Sequence, residues 1–163
     1  MFKLIILCFI AFCVIMGIVK RICRNFRKKL VILVDIDALF EMSAVLQRAE
    51  IYAQNKADSN LLDYMKAHFR EIGVCPVGLN KAIMLQQKGY TLKFVAGLAT
   101  EELRPIVAHL LNLWNLRGEL YMVGDLDANI MLEQLKYDNP NIIGLIGKNL
   151  DNKKYAHYGL RVF

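Results

Sequence analysis

Nothing in the sequence supports a disulfide framework or a cysteine-based metal site. Cys8, Cys13 and Cys23 lie in or beside an N-terminal apolar run, and Cys75 stands alone in the remainder. No two of them have metal-ligand spacing, which fits a reducing compartment. A glycine-rich loop of the GxxxxGK type is absent, which argues against a P-loop nucleoside triphosphatase. Basic residues are not interleaved with aromatics, so a nucleic-acid surface is not expected. His68, His109 and His157 fall on separate predicted helices with no second ligand four residues away, and read as surface or packing residues. Internal repeats, low-complexity tracts and a second globular domain are also lacking.

What the chain does have is apolar residues in excess. They make up 56% of its 163 residues, and the mean hydropathy is +0.32. Much of that excess is at the start, where every residue from Leu4 to Val19 is apolar or glycine. As a helix this run covers roughly 25 Å, slightly less than a ~30 Å hydrocarbon core. Lys3 and Lys20-Arg21 at its ends can snorkel across the difference. A cleaved signal peptide begins in the same way, but no small-x-small site follows Met16-Gly17. Instead come Lys20, Arg21, Arg24, Arg27, Lys28 and Lys29, which account for the formal net charge of +6. Such a cluster resists translocation and faces anionic lipid head groups. The expectation is a single-pass membrane anchor over 1–20 and a basic juxtamembrane linker over 21–29. The domain over 30–163 is then expected to be cytoplasmic. Cys23, beside the membrane surface, reads as a bystander rather than a palmitoylation site.

Beyond the linker, Leu30 to Val34 is an unbroken apolar run rich in β-branched residues, as in a strand covered on both faces. Helical periodicity follows over 43–54 and 60–71. Pro76-Val77-Gly78 opens a helix that stops at Gly89, a glycine suited to end it. A second strand is predicted over 92–95. A helix then runs from Thr100-Glu101-Glu102, with a capping hydroxyl and acidic first turn, to about Leu113. Trp114 and its apolar neighbours are expected to cover the core. A strand over 120–123, a helix over 126–137, a strand over 142–146, a helix over 150–158 and a strand over 160–163 complete the chain. This alternation predicts an α/β fold, a parallel five-stranded Rossmann-like sheet with helices on both faces. The long excursion over 41–73 reads as a small helical cap.

Ligands of such sheets bind beyond the carboxyl ends of the strands. The first strand ends there in Asp35-Ile36-Asp37, two carboxylates expected on one side of an extended chain. A helix cap plus a solvated acid is the plainer reading of the same pair. A hydrophobic strand ending Asp-x-Asp and followed by Ala38-Leu39-Phe40 resembles motif one of the haloacid dehalogenase-like (HAD) superfamily. Pro76-Val77-Gly78-Leu79, with the helix ending Gln86-Gln87-Lys88-Gly89-Tyr90, is similar to the segment before that family's second motif. Residues 151–163 are similar to its motif-four helix and the glycine-led strand that follows. The resemblance spans the chain from residue 30 onward. It implies Mg²⁺-dependent phosphoryl transfer to Asp35 as nucleophile and metal ligand. Asp37 would be the acid/base, its backbone carbonyl on the metal, and Asp151 a further metal ligand.

The chain departs from that pattern at three places. Where the family carries a Ser or Thr after the second strand, this sequence has Ala96-Gly97, and Thr100 is the nearest substitute. Where a lysine is expected after the third strand stands Gly124-Asp125-Leu126-Asp127, which reads foremost as a helix start. Lys136 lies within a helical run, poorly placed to replace that lysine. The earlier motif-four acid is Gly147, beside Lys148, a cation able to repel Mg²⁺ or to bind phosphate in its stead. Two readings stand at this point. One is a weak or divergent Mg²⁺-dependent phosphohydrolase of small phosphorylated substrates. The other is a catalytically reduced, membrane-tethered module that binds a ligand or a protein.

Overall fold

The computed structural model describes residues 2–55, 60–97, 101–123, 134–147 and 160–163, with side chains from Phe9 onward in the first helix and to Tyr52 in the second. Five strands form one parallel sheet: β1 (Val31–Asp35), β4 (Thr91–Ala96), β5 (Gly118–Met122), β6 (Ile142–Ile146) and β7 (Arg161–Val162). Their order is β5-β4-β1-β6-β7. The chain thus adds strands on one side of β1, then crosses over and continues on the other. That is the doubly wound, Rossmann-like arrangement, with its switch point between β1 and β6.

The apolar run that begins β1 is buried on both faces because its residues alternate between two cores. Ile32 and Val34 join Leu92, Phe94 and the helices α4 (Pro76–Gln87) and α5 (Arg104–Leu113). Val31 and Leu33 pack on the opposite face with Val95, Ile142, Leu145, Leu160 and Leu135, the last from a helical stretch over 134–138. Each face therefore needs its own helical cover, as continuous apolar strands require.

The segment read as a cap is bounded by a two-residue antiparallel ladder between β2 (Phe40–Glu41) and β3 (Gly73–Val74). Within it lie α2 (Met42–Asn55), α3 (Leu61–Ala67) capped by the Asn60 side chain, and a 3-10 turn over Phe69–Glu71. The insert is not a detached lid. Met42, Val45, Leu46 and Ala49 form an i, i+3, i+4, i+7 stripe on α2 that is buried in the same core as β1. The Arg48–Glu71 ion pair at 2.7 Å ties α2 to the 3-10 turn.

Helix α4 ends as anticipated, at Gly89 with φ 93°. Helix α5 starts later than its acidic residues suggest. Glu101–Leu103 form a 3-10 turn, and the α-helix begins at Arg104 with Pro105 in its first turn. Proline has no amide hydrogen to give, and that position needs none. Trp114 sits at the end of α5 and remains 42% exposed; Leu116, two residues on, fills the core instead.

The N-terminal helix α1 (Phe2–Arg27) continues through the basic segment read as a linker. Its large apolar side chains from Phe9 to Phe26 are 47–68% exposed, on every side of the helix. Among the described residues no helix is long and apolar enough to cross a membrane; the described side chains of α1 begin at Phe9. The end of α1 meets the sheet where Thr91 Oγ1 donates to the Lys28 carbonyl at 2.8 Å and Arg27 lies over the Tyr90 ring.

Candidate functional site

Strand register sets the geometry of the switch point. Asp35 is the last residue of β1 and pairs with Val95 on β4, so Ala96 and Gly97 follow at its level. On the other side Val34 pairs with Ile146, which brings Gly147 alongside Asp35. The carboxyl ends of the three central strands therefore present one carboxylate between small residues. Ala96 is buried, and its carbonyl accepts from the Val123 amide at 3.1 Å.

Beyond Asp35 the chain does not stay extended. Residues Ile36–Ala38 turn into a 3-10 helix because Asp35 caps it, Oδ1 accepting from the Asp37 amide at 3.1 Å. The period-two alternation of an extended strand therefore does not continue through Asp37. Both aspartates are half-buried, while Ile36 and Ala38 on either side of Asp37 point into the core. The turn is held from behind. The Cys75 amide donates to the Leu39 carbonyl at 2.8 Å, and the Cys75 thiol approaches the Asp37 carbonyl at 3.8 Å. Gly78, in the first turn of α4, lies so close to the Ala38 carbonyl that a Cβ there would be 2.0 Å from the oxygen.

Thr100, Lys148 and Asp151 lie outside the described residues, as do Asp125, Asp127 and His157. Of the residues expected to form the site, the structure thus brings together Asp35 and Asp37, with Ala96 and Gly147 beside them. The Asp37 carbonyl, the ligand the resemblance implies, faces the Cys75 thiol, and one Asp35 oxygen holds the Asp37 amide. Among the described residues no group of three His, Cys, Asp or Glu side chains could hold a metal ion. The described donors alone do not make a six-oxygen magnesium shell.

The other histidines are engaged in packing and pairing. His68 stacks on Tyr64 with ring centroids 4.1 Å apart and meets Glu71 at 2.6 Å, while His109 packs against Phe69 at 5.1 Å. The hydrogen bond from His68, with Arg48 beside it, holds the Glu71 carboxyl below its ordinary range.

One polar cluster escaped sequence reasoning. Lys93, in the middle of β4, is only 9% exposed, and its Nζ reaches Tyr121 Oη at 2.9 Å, Asn139 Oδ1 at 2.6 Å and Glu119 at 2.7 Å. Burial opposes its charge, yet the bonds to Glu119 and Tyr121 prevail and hold the ammonium above its ordinary range. Glu119 is correspondingly lowered, chiefly by the bond from Lys93. The signal was a lone lysine inside an apolar strand, where an unpaired charge is not tolerated. Its bonds join β4, β5 and the loop before β6, so its role is to lock strands together. No protein-family model matches the chain, and no curated protein matches its sequence.

Proposed function

We propose that this chain is a membrane-anchored HAD-type domain that binds a small phosphorylated ligand at the switch point, with its hydrolytic machinery reduced. One observation carries the reading. Asp35 ends β1 opposite Val95, with Ala96 the next residue of β4 and Gly147 the residue after the Val34–Ile146 pair, where phosphoryl transfer of this type calls for a hydroxyl and a second carboxylate. Removing one preorganised donor typically costs about 10²–10³ in rate, and two losses together leave little turnover. Lys148, adjoining Gly147 in sequence, is the cation this reading assigns to the ligand's phosphate. Anchoring by α1 is supported by its all-round exposed apolar surface and by the Leu4–Val19 run.

The second reading, a Mg²⁺-dependent phosphohydrolase, is favoured by the retention of both Asp35 and Asp37 on a turn held rigidly from behind. The full chain in neutral detergent, assayed with p-nitrophenyl phosphate and Mg²⁺ beside Asp35→Asn, separates the two. Equal background rates are expected. A rate that depends on Asp35 and Mg²⁺ would reject the binding module in favour of the enzyme.

A further inference from the structure

At the opposite end of the sheet from Asp35, the end of α1 and two turns of the domain enclose a shallow groove of about 510 Å³. Three cations line it: Arg24 and Lys28 from the end of α1, and Arg117 from the turn before β5. No carboxylate lines the groove, and among the described residues none of the three cations is in an ion pair. Its walls are fixed. Gln86 Nε2 donates to the Asn115 carbonyl at 2.8 Å, and Gln86 Oε1 accepts from the Arg117 amide at 2.7 Å. Asn115 holds the turn in the left-handed region with φ 52°. On the other wall Thr91 holds the Lys28 carbonyl. Like charges are gathered here from distant parts of the sequence with no described carboxylate among them; all three are exposed, so water screens their repulsion, but together they form a local positive surface that favours an anion.

The depth of the groove says which anion. Arg24 lies five residues beyond Val19, the last residue of the apolar run, or roughly 7–8 Å along a helix. The polar headgroup layer on one side of a bilayer is about 5–8 Å thick. The mouth of the groove therefore stands at the outer limit of the lipid phosphodiesters, within reach of phosphates that project further. We infer that the groove formed by Arg24, Lys28 and Arg117 binds an anionic phospholipid whose headgroup bears phosphomonoesters. This inference rests on the anchored reading of α1. Arg117 gives a guanidinium fork to one phosphate, and Arg24 and Lys28 approach from the membrane side. Tyr90, half-buried and with Arg27 over its ring, lines the groove beside them. Diffuse attraction between a basic segment and acidic lipids would need neither Arg117 nor a fixed turn.

The test uses the full chain in neutral detergent, titrated by thermophoresis with dioctanoyl phosphatidylinositol bisphosphate. Two parallel arms use dioctanoyl phosphatidylglycerol, which has only a phosphodiester, and soluble inositol trisphosphate. The bisphosphate lipid is expected to bind at least about tenfold more tightly than phosphatidylglycerol, because only its phosphomonoesters give multiple charge-assisted contacts, and at least about tenfold more tightly than the soluble trisphosphate, because it shares the micelle with α1. Arg117→Glu should weaken it by about tenfold or more, with Lys20→Ala/Arg21→Ala, outside the groove, changing it less than about twofold. Arg24→Glu, on α1 and remote from the sheet core, should reproduce the loss even if Arg117→Glu proves unstable. Equal binding of the diester lipid, equal binding of the soluble trisphosphate, or equal losses for the groove and Lys20/Arg21 variants would each overturn the inference. Binding in detergent is read whether or not the chain inserts in a bilayer. Failure of the anchor would show separately, as release from membranes by alkaline carbonate.

Discussion

Gly78 offers the sharpest test of how the Asp35–Asp37 turn is held. A methyl group at this position would sit 2.0 Å from the Ala38 carbonyl oxygen and 2.9 Å from its carbon. Both are backbone atoms of the turn that follows Asp37, so neither can swing away as a side chain would. To restore ordinary contact, α4 or the turn must move by roughly 1 Å or more. Overpacking of this kind costs about 1–3 kcal/mol, and obstruction by backbone belongs at the upper end. Against this, Gly→Ala lowers unfolded-chain entropy and returns about 0.4–1 kcal/mol. Gly78→Ala should therefore destabilise the domain by about 2 kcal/mol. Gly97→Ala is the internal control, since a Cβ there meets nothing within 4 Å. It retains the entropic gain without the clash and should be neutral or slightly stabilising. Urea unfolding of the full chain in detergent, followed by the fluorescence of Trp114, its one tryptophan, measures both. The reasoning fails if Gly78→Ala is as stable as wild type, or if Gly97→Ala loses as much as Gly78→Ala.

Three further outcomes follow from the same geometry. Lys93→Met keeps the stem volume and removes the buried ammonium, and because Glu119 is 67% exposed its carboxylate is not stranded. It should cost less than about 1.5 kcal/mol, whereas Lys93→Ala, which also leaves a cavity, should cost about 2–4 kcal/mol in the same urea assay. If Lys93→Met proved as damaging as Lys93→Ala, the network would be worth more than its packing. Because the folded Glu119 carboxyl is lowered, its contribution is present above the unfolded carboxylate range and is lost as pH falls through the folded value. Glu119→Gln should accordingly flatten part of the loss of stability below about pH 5 and leave the slope near neutrality unchanged; an unchanged acid limb would contradict this. Ile10→Arg/Ile15→Arg places two charges in the α1 run at about 2.5–3.5 kcal/mol each. The variant should move from the carbonate-resistant pellet to the supernatant, and continued sedimentation with membranes would count against the anchor.

Where one physical signal decided the structure, it was legible in the sequence. The Leu30–Val34 run reads as a doubly covered strand because both faces of β1 are buried, and Gly89 reads as a helix stop because its φ is positive. The start of α5 was misplaced because Thr100 and the acids look like a capped first turn, whereas Pro105 sets where α-geometry begins. The insert reads as a small cap because it is a long excursion between two strands with helical periodicity. Amphipathicity cannot say which surface takes the apolar stripe, and here it is the main core. At the site, the spacing marks Asp35 and Asp37 but assumes an extended chain through both. A capping bond, invisible to a period-two argument, turns the chain between them. The Lys93 network and the basic groove join residues far apart in sequence. No local pattern foretells that Arg117 meets Arg24.

The two ends of β1 give the domain its orientation on the anchored reading. Leu30 and Lys28 lie at the end of the sheet reached by α1, and the Leu30 carbonyl accepts from the Thr91 amide at 3.1 Å. Asp35 lies at the far end. Five strand residues span roughly 17 Å, and the turns of α1 between Val19 and Arg24, which packs against Gly89, add roughly 7–8 Å. Were α1 to continue the direction of β1, the switch point would open away from the bilayer, well beyond a Debye length of about 8 Å from the headgroups. A lipid held in the membrane cannot bring its phosphate to Asp35 across that distance. On the proposed reading the ligand of the switch point would come from solution, and the lipid contacts of the chain would fall to α1 and the groove beside it. The proposed function and the groove together would divide phosphate recognition between the two ends of one strand, with the membrane at the amino end and a soluble ligand at the carboxyl end. Moving the anchor to the carboxyl side of the sheet would invert that arrangement. In such a chimaera, with residues 2–27 fused after Phe163, soluble ligand binding at Asp35 should persist while selectivity for the phosphomonoester lipid is lost. Retained lipid selectivity would show that the groove does not depend on where α1 enters the domain.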